Sequence, residues 1–155
     1  MSKLVQMPER GPRLSAETVH ASTVAIDGRA VLITGPSGSG KSDLALRLLD
    51  RGFKLISDDR TLIRKDGERL MASAPPTIAG KLEIRGIGIV EVEHTDDVPV
   101  ALLVELTSDI QRLPDENRER PILGVELPLI TIDAMTASAP AKIALLLDRM
   151  GLKVK

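Results

Sequence analysis

The stretch Thr34-Gly35-Pro36-Ser37-Gly38-Ser39-Gly40-Lys41-Ser42, TGPSGSGKS, follows the apolar run Ala30 to Ile33. Its spacing fits G-x-x-x-x-G-K-[ST], a loop that cradles phosphate. Glycine lets backbone N–H groups approach phosphate oxygens with no Cβ in the way. Lys41 is placed to reach the β- and γ-phosphates, and the Ser42 hydroxyl to ligate Mg2+. What lies on either side supports the assignment. Ala30 to Thr34 read as a buried strand. Leu44, Ala45, Leu48 and Leu49 fall at helical spacing, and Gly52 stands where a helix would end. The helix directs its positive end at the same anion. Strand, glycine loop and helix come in the order that nucleotide binding needs.

Bulk composition narrows the function classes. The 155 residues suit one domain with a single core. Apolar residues make up 43% and aromatics only 1%, so the core is aliphatic and few rings exist to stack on single-stranded nucleic acid. A net charge of −1 provides no general basic field for nucleic acid or anionic lipid. The absence of cysteine excludes disulfides, thiolate metal sites and a Cys nucleophile, and suits the cytoplasm. Residues 1–14 carry two prolines and several charges but no apolar signal core, and read as a flexible arm before one catalytic domain at 15–155. No run approaches the roughly 18 apolar residues of a membrane span.

Along the chain, Glu17 to Ile26 is β-branched and reads as one strand, turned by Asp27-Gly28 into the strand before the loop. Phe53 to Asp59 (FKLISDD) reads as a strand ending in two acids. Thr61 to Ser73 is a second hairpin around Asp66-Gly67, and Ala74 to Lys81 a loop. Lys81 to Val92 (KLEIRGIGIVEV) is a turn-and-strand segment in which glycines mark close backbone approach. Val98 to Leu106 is a central strand, Asp115 to Pro121 (DENRERP) a solvated loop, and Leu123 to Ile132 a further strand. Pro140 opens a last helix that runs to about Met150, with Gly151 as its stop. The expected fold class is α/β, with a mixed, hairpin-rich sheet, a P-loop and flanking helices.

Phosphoryl transfer also needs a carboxylate for the metal and a group to orient or deprotonate the acceptor. Asp58 and Asp59 end the strand after the P-loop helix. Neighbouring residues there point opposite ways, so the pair suggests divided labour, one acid toward the acceptor and the other toward Mg2+ or a loop. A plain polar strand end is the alternative. His20 and His94 read on their own as structural or turn histidines, and Glu83 with Arg85 as a surface pair on a strand.

Together, TGPSGSGKSDLALRLLDRGFKLISDDR, LEIRGIGIVEV and LGVELPLITI resemble the catalytic domain of HPr kinase/phosphorylase, over about residues 17–133 with a weaker match in the last helix. LEIRGIGI is close to that family's own signature. The resemblance implies a fold related to phosphoenolpyruvate carboxykinase. It implies an ATP- and Mg2+-dependent serine kinase acting on HPr or an HPr-like phosphocarrier of the phosphotransferase system. Residues Gly35, Pro36, Ser37, Gly38, Ser39, Gly40, Lys41 and Ser42 would bind the nucleotide. Asp58 would be the general base toward the acceptor serine and the acid in reverse. Asp59 and Glu83 would stand with Ser42 near the metal. His20 falls where the family keeps a histidine by that aspartate, and Arg85 belongs to the signature segment that supports transfer. A homo-oligomer, hexameric in the family, is expected.

Two departures stand out. Family members carry a separate N-terminal domain for which this chain has no room, so a short form is expected. They also carry a basic loop before the last helix, where this chain has Asp133 to Lys142 (DAMTASAPAK) with Lys142 as its one basic residue. The rival readings are a small-molecule phosphotransferase of the carboxykinase type and a nucleotide-gated interaction domain without transfer.

Overall fold

The computed structural model describes residues 15–109 and 118–154; the expected N-terminal arm lies outside them. Strands β1 (Ala16–Val19), β2 (Ala21–Ile26), β3 (Arg29–Thr34) and β4 (Lys54–Ser57) flank helix α1 (Lys41–Leu49) in sequence. There follow β5 (Thr61–Asp66), β6 (Arg69–Ser73), a 3-10 turn (Pro76–Ile78), β7 (Lys81–Ile84) and β8 (Gly88–Glu91). The chain then forms β9 (Val98–Leu106), β10 (Glu119–Ile122), β11 (Val125–Ile132) and α2 (Ala139–Met150). Among the described residues nine strands make one mixed sheet in the order β1-β5-β6-β9-β3-β2-β4, with β11 also on β9 and β10 on β11. β7 and β8 form a separate two-stranded hairpin. The mixed α/β class and its hairpins match the sequence expectation.

β9 organises the sheet. Along one edge it runs parallel to β3, from Val100↔Ala30 to Glu105↔Thr34. Its other edge is shared: Val98 and Pro99 pair antiparallel with β6, and Leu103 to Leu106 pair parallel with β11. This fork lets β1, β5 and β6 fold over the sheet and bring Ile63, Leu70 and Ala72 against Ala30, Leu32, Leu103, Leu127 and Leu129. The opposite face, with Val31, Ile33, Leu102, Val104, Ile130 and Ile132, is covered by Leu44 and Leu48 of α1 and Ile143 and Leu147 of α2. The sheet centre is therefore buried on both sides, which explains why Val98 to Leu106 is almost continuously apolar. A bulge between Val100 and Leu102 turns both Ala101 and Leu102 to the helix face, and the Ala101 carbonyl accepts the Leu152 N–H (2.9 Å). Truncating Leu44 or Leu48 to alanine in such packing costs about 2–5 kcal/mol.

Both helices end for identifiable reasons. Past α1, Gly52 (φ 99°) donates to Leu49 O (3.1 Å) and Phe53 N to Leu48 O (3.2 Å), a Schellman closure with Phe53 buried beneath it. α2 stops at Gly151, where a Cβ would lie 2.5 Å from Leu147 O. Arg29, at the start of β3, donates to that carbonyl (3.1 Å) and to Asp148 Oδ1 (3.2 Å), so the first hairpin caps the last helix.

Two expectations are corrected. Glu17 to Ile26 is two strands broken at His20: β1 pairs with β5 at the folded-over edge, whereas β2 pairs with β3 and β4. β-branched composition marks extended backbone but not which partner each half takes. The loop read over Asp115 to Pro121 contains the start of β10, which pairs with β11 through a tight turn at Leu123-Gly124; Asp115 to Asn117 lie outside the described residues. No helix among the described residues is long and apolar enough to cross a membrane.

Candidate active site

Thr34 ends β3 with its hydroxyl donating to Val104 O (3.0 Å), which fixes where the chain leaves the sheet. The loop then folds on itself through Ser39 N to Pro36 O (3.0 Å) and enters α1 through Leu44 N to Gly40 O (2.9 Å). Gly40 has φ 100°, and a Cβ on it would also press on the Ala134 Cβ at 3.3 Å. A Cβ on Gly35 would meet Ser39 Oγ at 2.6 Å, so the cradle has room only for glycine there. Three observations fit this loop to a phosphate. No side chain caps the N-terminus of α1, leaving its first amides available. Ser39 Oγ is buried and has no hydrogen-bond partner among the described residues. Lys41 is buried, its ammonium donating to Gly35 O (2.9 Å) and Pro36 O (3.2 Å), with no carboxylate paired to it among the described residues.

β4 delivers the two acids to this corner. Asp58 is only 8% exposed. Its Oδ1 accepts from Ser42 Oγ (2.7 Å) and Ser22 Oγ (2.8 Å), and its Oδ2 from the Glu83 backbone N–H (3.1 Å). The phosphate loop, β2, β4 and the β7–β8 hairpin thus meet on one carboxylate. Asp59 behaves differently. It is exposed, adopts a left-handed backbone (φ 69°) and donates its N–H to Ser22 Oγ (3.1 Å). The division of labour has a geometric basis, and it is Asp58 that touches Ser42.

The remaining sequence candidates lie around this cluster. Glu83 contributes its backbone N–H, with its carboxylate exposed. Arg85 is exposed at the hairpin turn, and His20 is exposed at the junction of β1 and β2, two residues before Ser22. Neither side chain has a hydrogen-bonded or ionic partner among the described residues. No group of three or more His, Cys, Asp or Glu side chains among them is gathered tightly enough to hold a metal alone. That suits Mg2+, which usually keeps waters and substrate phosphates beside one or two carboxylates.

Sequence reasoning missed two participants. Ser22 was absorbed into a β-branched strand; its burial is known only from the structure, and the sequence offered no more than a hydroxyl two residues after His20. Arg47 reaches from α1 to Thr136 O (3.2 Å) and Ala134 O, holding the loop before α2 against the phosphate loop. A cavity of about 590 Å3 toward the C-terminal end of α1 is lined by Leu46, Arg47, Leu49, Asp50, Phe53, Val92 and Glu93; it shares Arg47 with this set but none of the residues around Asp58.

Comparison with known proteins agrees with this geometry. The family described as HPr Serine kinase C-terminal domain matches residues 13–149. The chain belongs to this family. It is 40% identical over 139 residues to the HPr kinase/phosphorylase of Lactiplantibacillus plantarum, covering 81% of this chain and 44% of that relative. The corresponding protein of Chloroherpeton thalassium is 39% identical over 126 residues, covering 73% of this chain and 37% of the relative. The chain therefore spans less than half the length of these two relatives. Among solved structures, the Hpr(Ser) kinase/phosphatase from Coxiella burnetii superposes with a TM-score of 0.75 at 31% identity, covering 86% of this chain and 95% of that one. The mixed sheet with its flanking helices is thus the fold of an HPr kinase.

Proposed function

We propose that this HPr kinase domain transfers the γ-phosphoryl group of ATP to a serine of HPr or an HPr-like phosphocarrier of the phosphotransferase system. The observation that carries the reading is the Ser42–Asp58 hydrogen bond, which ties the phosphate loop to a strand-end pair of acids. The names of its relatives supply the acceptor class.

In this proposal Lys41, the Ser39 hydroxyl and the first amides of α1 bind the phosphates. Ser42 and Asp58 would hold Mg2+, with Glu83, whose backbone N–H meets Asp58, as the further carboxylate proposed for it. The metal, when bound, neutralises charge building on the β- and γ-phosphates. The roles of the two aspartates are the reverse of those the resemblance implied. Asp58 already accepts three hydrogen bonds at the metal edge, whereas the Asp59 carboxylate has no partner among the described residues. Asp59 takes the proton from the acceptor serine as the serine oxygen forms its bond to the γ-phosphorus and the bond from that phosphorus to the bridging oxygen of ADP breaks. His20 and Arg85 are proposed to stand around the acceptor. In phosphorolysis an oxygen of inorganic phosphate bonds to the phosphoserine phosphorus, the bond from that phosphorus to the serine oxygen breaks, Asp59 gives its proton to that oxygen, and pyrophosphate is released. Holding two phosphates needs cations, and Lys142 alone in the loop Asp133 to Lys142 leaves this direction weak. The proposal includes a homo-oligomer, which light scattering measures.

The test is transfer of labelled γ-phosphate from ATP to purified HPr, beside HPr with its acceptor serine changed to alanine. Incorporation into the first alone is expected. Tight nucleotide binding without incorporation would overturn the kinase assignment.

A further inference from the structure

Ser22 is fully buried in β2. A buried hydroxyl needs a partner, and a neighbouring strand carbonyl would suffice. Its neighbour Thr23 is paired structurally, with the Thr61 hydroxyl (2.7 Å), which itself donates to Ala21 O (2.9 Å). Ser22 instead spends both its capacities on the acidic corner. It donates to Asp58 Oδ1 (2.8 Å) and accepts from the Asp59 N–H (3.1 Å). The first bond holds the carboxylate oxygen that receives Ser42. The second holds Asp59 in a left-handed backbone conformation that is unfavourable for a residue with a Cβ.

We infer that Ser22 is a positioning residue for both acids at once. It fixes the Asp58 oxygen that orients the Ser42 hydroxyl toward the metal, and it fixes the backbone corner from which Asp59 faces the acceptor. The inference rests on the proposed function and adds a third, non-acidic member to its machinery. One hydroxyl couples the metal edge to the base, so losing it weakens metal dependence and transfer together, while the contacts that bind metal-free nucleotide stay intact.

The experiment compares Ser22→Thr with Ser22→Val, side chains of equal shape that differ by the hydroxyl. ATP binding is measured by calorimetry with and without Mg2+, and kcat and KM for transfer to HPr are measured beside it. Ser22→Thr is expected to keep the gain in affinity that Mg2+ brings. Ser22→Val is expected to lose about tenfold of that gain and at least as much in kcat, with metal-free ATP affinity unchanged. Equal gains in the two variants, at whatever level, overturn the inference. So does an equal loss in Thr23→Val, which removes the neighbouring structural hydroxyl. Should Ser22→Val fail to fold, Ser22→Ala is read against the natural protein by the same ratio. The metal-dependent gain requires no acceptor. An absence of transfer from the natural protein would therefore count against the kinase reading and leave Ser22 to be judged on binding alone.

Discussion

Two carboxylates in this protein accept hydrogen bonds of nearly the same length in opposite surroundings. Asp58 accepts from Ser42 at 2.7 Å and Ser22 at 2.8 Å, and is 8% exposed. Asp97 accepts from Arg64 at 2.8 Å, with side chains 57% and 52% exposed respectively. Distance does not separate them; water does. Around Asp58 each donor replaces a solvent molecule that cannot return, so a lost donor leaves a buried polar group unpaired. Around Asp97 water substitutes readily and salt screens what remains. The buried cluster can therefore hold catalytic geometry, and the exposed pair cannot.

The largest effect expected is on chemistry. Asp59→Asn keeps shape but cannot accept a proton, so transfer to HPr should fall by roughly 10²- to 10⁴-fold while Mg2+–ATP affinity holds. A variant transferring at the natural rate would return the base to Asp58 and undo the division between the two acids. Lys41→Ala comes next. It removes a buried cation at the loop, and losing charged hydrogen bonds worth about 1.5–3 kcal/mol should weaken ATP binding by about 10- to 150-fold. Unchanged calorimetric affinity would detach the phosphate site from Lys41.

Asp58→Asn sharpens the comparison itself. An amide can face the Ser22 and Ser42 hydroxyls with its oxygen, but its NH2 then meets the Glu83 N–H, donor against donor. The strain should cost about 1–3 kcal/mol in chemical denaturation. The Mg2+ concentration for half-maximal transfer should also rise, since the metal edge loses its charge. A normal magnesium titration would take Asp58 away from the metal.

How much of this was legible beforehand follows from the range of each signal. The glycine-loop pattern is local: Gly35 to Ser42 are eight consecutive residues, and the strand and helix on either side are where periodicity puts them. Asp27-Gly28 and Asp66-Gly67 likewise mark real hairpins. β10 escaped because it is an edge strand that tolerates charge and Pro121, features that read as loop. The break at His20 escaped because it depends on β9 forking between β6 and β11 some eighty residues later. Which aspartate meets Ser42 was invisible for a related reason. Alternation says that Asp58 and Asp59 point apart, but only the packing of α1 against the sheet decides which one faces the loop.

The smallest effect belongs to the exposed pair. The hydrogen bond and charge of Asp97 raise the Arg64 guanidinium above its already high ordinary value. A raised folded-state value means that any stability from the pair is fully present below the unfolded value and is lost only as pH climbs through the folded one. Both lie far above neutrality, so Arg64 adds no pH dependence from about pH 6 to about pH 9. Arg64→Ala is the cleaner probe, because Asp97 itself sits at positive φ (56°) and its replacement would mix backbone strain with lost charge. Denaturation of Arg64→Ala in moderate salt should overlay the natural protein, with transfer unchanged. Removing salt should open at most a slight gap between them, as expected of a screened surface charge. If Arg64→Ala instead loses as much stability as Asp58→Asn, burial is not what distinguishes the two carboxylates. The Asp58 cluster would then need another explanation for its hold on the site.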